Sequence, residues 1–260
     1  MATIALAPQK IGPAYYACLF AKETKYEFVR SLRTRAFSLS VIGFPVMFFL
    51  LFGVSNRHSN FAQYLVPGYS CMGVVSACLF GIGMGISLER AQGWLDLKQA
   101  SPMPRLSYLG AKIISCGGFG LVIVAALVIL GVTTGGAHIT LLQTAELAGV
   151  ILLGSVPFTA MALLIALLVP ANSGPGIINL IYLPMSFASG FWMPVSLLPH
   201  FLQKLAPALP TYHLAQLALG IFGEAQPGSS FGIHWEALTG FTLLMLGAAW
   251  IIFTRSEAKA

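Results

Sequence analysis

Residues 87–112 read SLERAQGWLDLKQASPMPRLSYLGAK. Glu89, Arg90, Asp96, Lys98 and Arg105 make this segment the charged island of a chain in which only 8% of residues carry charge. It separates two apolar stretches, 66–88 and 107–133, each long enough for a bilayer crossing, which takes about 20 residues. Gly93 breaks the first helical run, and residues 94–100 read as one short helix whose apolar members are Trp94, Leu95 and Leu97. Pro102 and Pro104 stop it. A short helix between two spans, with an exposed tryptophan, has the form of a docking element for another protein.

Working outward, four further apolar stretches lie at 38–54, 145–169, 176–190 and 235–253. Hydrophobic residues make up 57% of the chain, and its charged fraction is far below the roughly 25% of an ordinary soluble domain. So few charges cannot clothe a soluble surface of this size, whereas lipid solvates apolar side chains. All but Arg57 and Lys204 of the 14 Lys and Arg residues fall in three places. Lys10, Lys22, Lys25, Arg30, Arg33 and Arg35 precede the first stretch. Arg90, Lys98, Arg105 and Lys112 lie within the segment quoted above, and Arg255 and Lys259 follow the last stretch. The positive-inside rule then puts both termini and the second-to-third connection in the cytoplasm. The expected fold is an all-α polytopic membrane protein of six transmembrane helices. Its parts are a cytoplasmic or interfacial segment at 1–36, a permease-like span domain at 37–254, and a tail at 255–260. No cleavable signal peptide is expected, because the first 36 residues lack a long apolar core.

The net charge of +6 is loop charge of the kind that sets topology and meets anionic head groups. No basic patch interleaved with exposed aromatics points to nucleic acid. Residues 13–36, opened by Pro13, read as an amphipathic interfacial helix carrying Lys22, Lys25, Arg30 and Arg33, or as a solvated lead-in to the first span. Pro45, Pro157 and Pro184 are expected to bend their spans. Gly81 with Gly85, and Gly117, Gly118 and Gly120, allow close helix approach, by default within one subunit. Cys18, Cys71, Cys78 and Cys116 show no metal-like spacing and read as packing residues. The connection 191–234 is apolar yet holds Pro194, Pro199, Pro207 and Pro210, so short helices that enter the outer leaflet and return fit better than a span.

These pieces, in this order, resemble the type-2 ABC exporter permeases, the membrane subunits of ATP-driven efflux systems. Arg30 to Arg35 followed by Pro45 and Phe52-Gly53 is similar to that family's basic lead-in and first span. Tyr64-Leu65-Val66-Pro67-Gly68 looks like its entry to the second span. Glu89-Arg90, Gly93, Leu95, Leu97, Ser101-Pro102, Gly110 and Lys112 resemble its loop signature. Ser189-Gly190, Pro194, Leu198-Pro199, Leu205-Ala206, Pro210 and His213 resemble its re-entrant region before the last span. The resemblance implies that Glu89, Arg90, Gly93, Trp94, Leu95 and Asp96 carry contact with a separate ATPase subunit through a coupling helix. It implies that the amino-terminal helix braces that subunit, and that Gly190, Pro194, Pro199 and Pro210 shape the re-entrant exit region. It further implies a second permease copy, identical or different, and a multi-pass location in a bacterial cytoplasmic membrane. Gln92 stands where the family often has a second acid. ATP and magnesium would belong to the ATPase partner, since this chain has no G-x-x-x-x-G-K-[ST] phosphate loop. No cofactor, metal or catalytic residue is expected.

Rival classes have weaker signatures. A rhomboid-like protease needs a G-x-S-G span, and Phe187 stands at the glycine position before Ser189. Ion-coupled carriers place acids deep in spans, whereas Glu146, Glu224 and Glu236 sit at or beyond span ends. A static membrane scaffold stays open. His58, His138, His200, His213 and His234 lie in or near outer segments and read as solvated or interfacial. Phe44, Phe48, Phe49, Phe187, Phe191 and Trp192 suit an amphiphilic drug or lipid as cargo, or plain packing. Lipid-linked glycan and small-solute export are the alternatives.

Overall fold

A charge-poor chain must satisfy its backbone polar groups internally wherever lipid replaces water. The computed structural model describes residues 13–55, 61–94, 105–170, 173–228 and 230–257, and these contain helices and turns but no strand. The helices are α1 (Pro13–Arg33), α2 (Arg35–Phe52), α3 (Phe61–Ala91), α4 (Arg105–Thr133), α5 (Leu141–Leu168), α6 (Gly174–Ala188), α7 (His200–Leu205), α8 (Pro210–Ile221) and α9 (Phe231–Glu257).

Among the described residues, five helices (α2, α3, α4, α5 and α9) are long and apolar enough to cross a membrane. The expected fifth stretch forms α6, but its 15 residues span only about 22 Å at about 1.5 Å per residue. That is short of a hydrocarbon core of about 30 Å. The bundle has two ends. At one, Arg30, Glu89 and Lys112 meet, and Arg90 reaches Val169. At the other, Gly135 lies against Phe49 and Ala62, and Gly190 against Tyr64. All the described basic side chains except Lys204 belong to segments at the first end, which is called the basic end here.

α3 is the core helix. From Tyr64 to Leu79 every residue is buried, enclosed by α2, α4, α5 and α8. The expected glycine contacts are made within the chain. Gly81 faces Phe37 and Cys116, Gly118 faces Phe28, and Gly120 faces Ile151 and Val74. Cys71, Cys78 and Cys116 are buried, whereas Cys18 is exposed, so the packing role expected of it does not hold.

Two helix starts and one turn show where local chemistry departs from the expected pattern. α3 begins at Phe61, so Pro67 lies inside the helix and not at its entry. α5 begins at Leu141, ahead of the expected 145. Thr140 accepts from the Gln143 backbone while the Gln143 side chain accepts from Thr140, a reciprocal cap. In α2 the turn Leu39–Gly43 is π-helical and ends just before Pro45. A widened turn absorbs the carbonyl that a proline leaves without a donor. A second π turn, Leu79–Met84, loosens α3 before its last segment.

At the far end, the segment after α6 folds back on α3. Gly190 adopts φ +87°, a conformation open to glycine without strain. Tyr64 Oη donates to the Gly190 carbonyl at 2.5 Å. A Cβ on Gly68 would stand 2.6 Å from the Phe191 carbonyl oxygen, so the Pro67-Gly68 pair admits that backbone. Trp192 stacks on Phe187 (4.7 Å) and meets Phe48 edge-on (4.6 Å). Of the aromatics singled out above, Phe49 and Phe191 are fully buried packing residues, and Phe44 and Phe187 point outward.

Candidate functional site

The basic end is held together by a buried network of charges from three helices. α1 supplies Glu27 and Arg30, three apart and therefore on one helical face. The last turn of α3 supplies Glu89. The first turns of α4 supply Tyr108 and Lys112, four apart and again on one face. The Lys112 ammonium lies 2.6 Å from Glu27 Oε1 and 3.1 Å from Glu89 Oε1. Arg30 Nη1 reaches Glu89 Oε1 at 2.7 Å and Glu27 Oε2 at 3.6 Å. Tyr108 Oη donates to Glu89 Oε2 at 2.5 Å. The Tyr108 ring centroid lies 5.2 Å from the same ammonium.

Burial gives the network its energetic weight. The side chains of Lys112 and Glu89 are 2% and 3% exposed, that of Glu27 9%, and that of Arg30 53%. Removing an ion from water costs several kcal/mol even after relaxation, so a buried ammonium persists only beside well-placed carboxylates. Among the described side chains, two acids meet two bases here. Burial works against the charged form of Arg30, but the carboxylates of Glu27 and Glu89 outweigh it and raise its pKa. Gly85 of α3 lies beside the ammonium, where a Cβ would make an ordinary contact at 3.7 Å from Lys112 Nζ.

α1 reaches this site because it packs along the first half of α4, in parallel. A Cβ on Gly110 would meet the Phe20 ring, one on Gly118 would meet Phe28, and Phe28 lies 4.9 Å from Phe119. The segment is thus part of the bundle and not a solvated lead-in. Its other face exposes Lys22, Lys25 and Arg33.

The expected loop residues separate at this point. Glu89 faces inward, into the network. Arg90 donates to the Val169 carbonyl at 3.3 Å, which ties the end of α3 to the end of α5. Ser87 Oγ donates to the Gly83 carbonyl (2.9 Å) and lies 3.4 Å from the Val169 carbonyl. Gly93 turns the chain at φ +74°. Trp94 follows it and is 55% exposed. Leu95 and Asp96 lie outside the described residues. In the far segment, Pro194 and Pro199 precede the turn Val195–Leu197 and α7, and Pro210 opens α8. They serve as helix starts, some distance in sequence from the Gly190 turn.

Three residues of the network were not singled out from the sequence as site residues: Glu27, Tyr108 and Lys112. A signal for two of them was present. Glu27 sits on the apolar side of a basic helix, and Lys112 lies one turn inside an apolar run, where an ion needs a partner. The network pairs its charged groups with one another. Its groups are mutually neutralised, and among the described residues no cluster of three or more potential metal ligands occurs. It can fix three helices to one another, directly beneath the Gly93 turn.

A model of the ABC-2 type transporter family matches residues 20–222, from α1 through α8. "Putative transport permease YvfS" of Bacillus subtilis (strain 168) is 26% identical over 212 residues, covering 79% of this chain and 86% of that protein.

Proposed function

Because the chain belongs to the ABC-2 type transporter family, we propose that it is the membrane permease subunit of an ATP-driven exporter. A separate ATPase subunit supplies the energy, and a second permease copy completes the path. The observation that carries this reading is the Gly93–Trp94 turn. It presents an exposed tryptophan directly after a helix end clamped by buried ion pairs. Residues 94–100, with Leu95 and Asp96, form the coupling element seated on the ATPase. Glu89 acts through the network, passing movement of that element to α1, α3 and α4, while Lys22, Lys25 and Arg33 face head groups or the ATPase at the membrane surface.

The basic end is cytoplasmic on the charge rule, in a bacterial cytoplasmic membrane. α6 and the helices α7 and α8 complete the membrane domain as a short sixth span and a re-entrant segment. The Gly190 turn, Pro194, Pro199 and Pro210 shape its outer exit. The cargo is a hydrophobic or amphiphilic molecule, drug-like or lipid-like. Apolar helices without an acid at mid-length favour such cargo over an ion-coupled solute.

The test is recovery of partners with the tagged, detergent-extracted chain. A soluble protein with a phosphate-binding loop should co-purify in stoichiometric amount and be lost in the Trp94→Ala/Leu95→Ala variant. Recovery of the chain alone, with no ATPase found by mild crosslinking in native membranes, sinks the exporter reading in favour of a scaffold or secondary carrier.

A further inference from the structure

On the outer side of the bundle, away from the ion pairs, α1 and α4 enclose a groove of about 490 Å³, within the range of about 300–1,000 Å³ usual for ligand sites. Phe20 and Phe28, seated over Gly110 and Gly118, stand eight residues apart along it, about 12 Å on a helix. Missing bulk makes the groove. Ala21 and Thr24 are the small residues between the two rings on α1, and Gly118 gives α4 no side chain there. Ala21 is exposed and Ile114 is 50% exposed, so the groove opens outward. Thr24 Oγ1 donates to the Phe20 carbonyl at 2.8 Å, so that hydroxyl is satisfied within α1.

Charge is sorted around α1. Glu23, Glu27 and Arg30 line a cleft on another face of the helix, and Glu27 and Arg30 belong to the ion network. Lys25 supplies the charge at the edge of the groove, and Lys22, three residues before it, stands on the adjoining face. Both lysines are exposed, and neither has an ion-pair partner among the described residues. Among the described residues lining the groove, none is acidic.

We propose that this groove binds one anionic phospholipid, with the phosphate held by Lys22 and Lys25 and an acyl chain laid past Ile114 between Phe20 and Phe28. The two halves of such a lipid match the two parts of the site. An acyl chain brings no polar group that the apolar floor would leave unsatisfied, as an extended peptide would. A net negative head group answers two unpaired ammonium groups, whereas a zwitterionic lipid brings a cation of its own. The bound lipid braces α1 against α4 on the side that the ion pairs do not reach. This site rests on the placement of the basic end at the membrane surface and not on the ATPase, so its failure leaves the exporter reading standing.

The test is photolabelling of the full chain in phosphatidylcholine nanodiscs. A trace of phosphatidylglycerol or of phosphatidylcholine, each with a diazirine in one acyl chain, is added, and labelled peptides are located by mass spectrometry after illumination. The phosphatidylglycerol probe should label residues 20–28 and 114–118 more strongly than the phosphatidylcholine probe. The exposed apolar face of α9, with Leu243 and Leu244, should take both probes equally. Each lysine beside an anionic head group contributes about a fivefold preference, so Lys22→Gln with Lys25→Gln should bring the groove to the level of α9. Ala21→Trp fills the groove from an exposed position and should reduce its labelling by both probes, with α9 unchanged. Equal labelling of the groove by the two probes in the wild type, or a preference that survives the lysine substitutions, overturns the site. So does a groove labelled in nanodiscs that hold one chain but protected in those that hold two, which makes a second copy its occupant.

Discussion

Replacing Lys112 with Met asks whether the ion pairs hold the amino-terminal helix to the bundle. Methionine keeps the length and apolar stem of lysine and removes only the ammonium. Glu27 and Glu89, 9% and 3% exposed, then keep Arg30, which is half in solvent, as the basic group described beside them. Removing one member of a buried charge pair destabilises by about 3–5 kcal/mol, because the partner stays buried and uncompensated. Arg30→Met removes a partner that solvent already screens, so its effect should be about 1 kcal/mol or less. In a chain of this size each kcal/mol moves the melting temperature by about 2–4 °C. Lys112→Met should therefore lower Tm by about 6–20 °C, and Arg30→Met by no more than about 4 °C. The assay is the temperature at which the tagged chain loses its monodisperse elution peak, at fixed detergent and lipid.

The decisive comparison is Glu27→Gln combined with Lys112→Met. This pair removes one charge of each sign and leaves Arg30, Glu89 and Tyr108 in contact. Replacing a complete buried pair by neutral groups is often close to neutral, so the double variant should recover at least half of the loss. The two substitutions should couple by about 0.5–3 kcal/mol. A Lys112→Met melting temperature within about 2 °C of wild type, or a double variant as unstable as the single, would refute the view that charge pairing clamps α1.

Three further outcomes are expected. Gly68→Ala should destabilise by about 1–3 kcal/mol, because its Cβ meets the Phe191 carbonyl at 2.6 Å, whereas Gly240→Ala, with nothing within 4 Å, should be neutral or stabilising by up to about 1 kcal/mol. Equal thermal shifts for the two would count against the docking of the Gly190 turn on α3. Gly190→Ala, at φ +87° and with Val195 Cγ2 2.8 Å from the new Cβ, should cost about 1–2 kcal/mol or more in the same melting assay. In a chain whose Cys18 is replaced by serine, a cysteine at His138 should react with an impermeant maleimide from outside intact cells and one at Gln92 should not; the reverse pattern overturns the proposed orientation.

The helices were legible in the sequence because lipid imposes a length on apolar runs, and 107–133 appears in α4 almost residue for residue. Ends were legible only where one chemistry governs them. Pro67 marks a helix start in most contexts, yet here six helical residues precede it, since only one backbone donor is lost. Thr140 and Gln143 spell a capping box, but the apolar run that follows drew the expected start inward to 145. α6 kept its place and its length, since the expected 176–190 and the observed helix both hold 15 residues, the helix starting two residues earlier, at Gly174, and ending ahead of the Gly190 turn. His234, expected to be solvated or interfacial, is instead buried 2.8 Å from His213, a contact that no spacing along the chain signals.

The ion network occupies a middle position, and scarcity explains why. The whole chain has 8 acids, and Lys112 lies one turn inside a run that lipid or protein must enclose. Its ammonium has to reach water or meet a carboxylate. Glu23, Glu27, Glu89 and Asp96 are the acids in the segments flanking α4's start. Spacing along the chain cannot choose among them, because Glu27 lies 85 residues away and Glu89 lies 23 away. The glycines choose. Gly110 and Gly118 bring α1 against α4 by admitting Phe20 and Phe28. The charge pattern states that a partner is needed, and small residues of α4 bring Glu27 to it. A substitution at Gly118 that lifts Phe28 away should therefore weaken the Lys112–Glu27 pair without touching either charge.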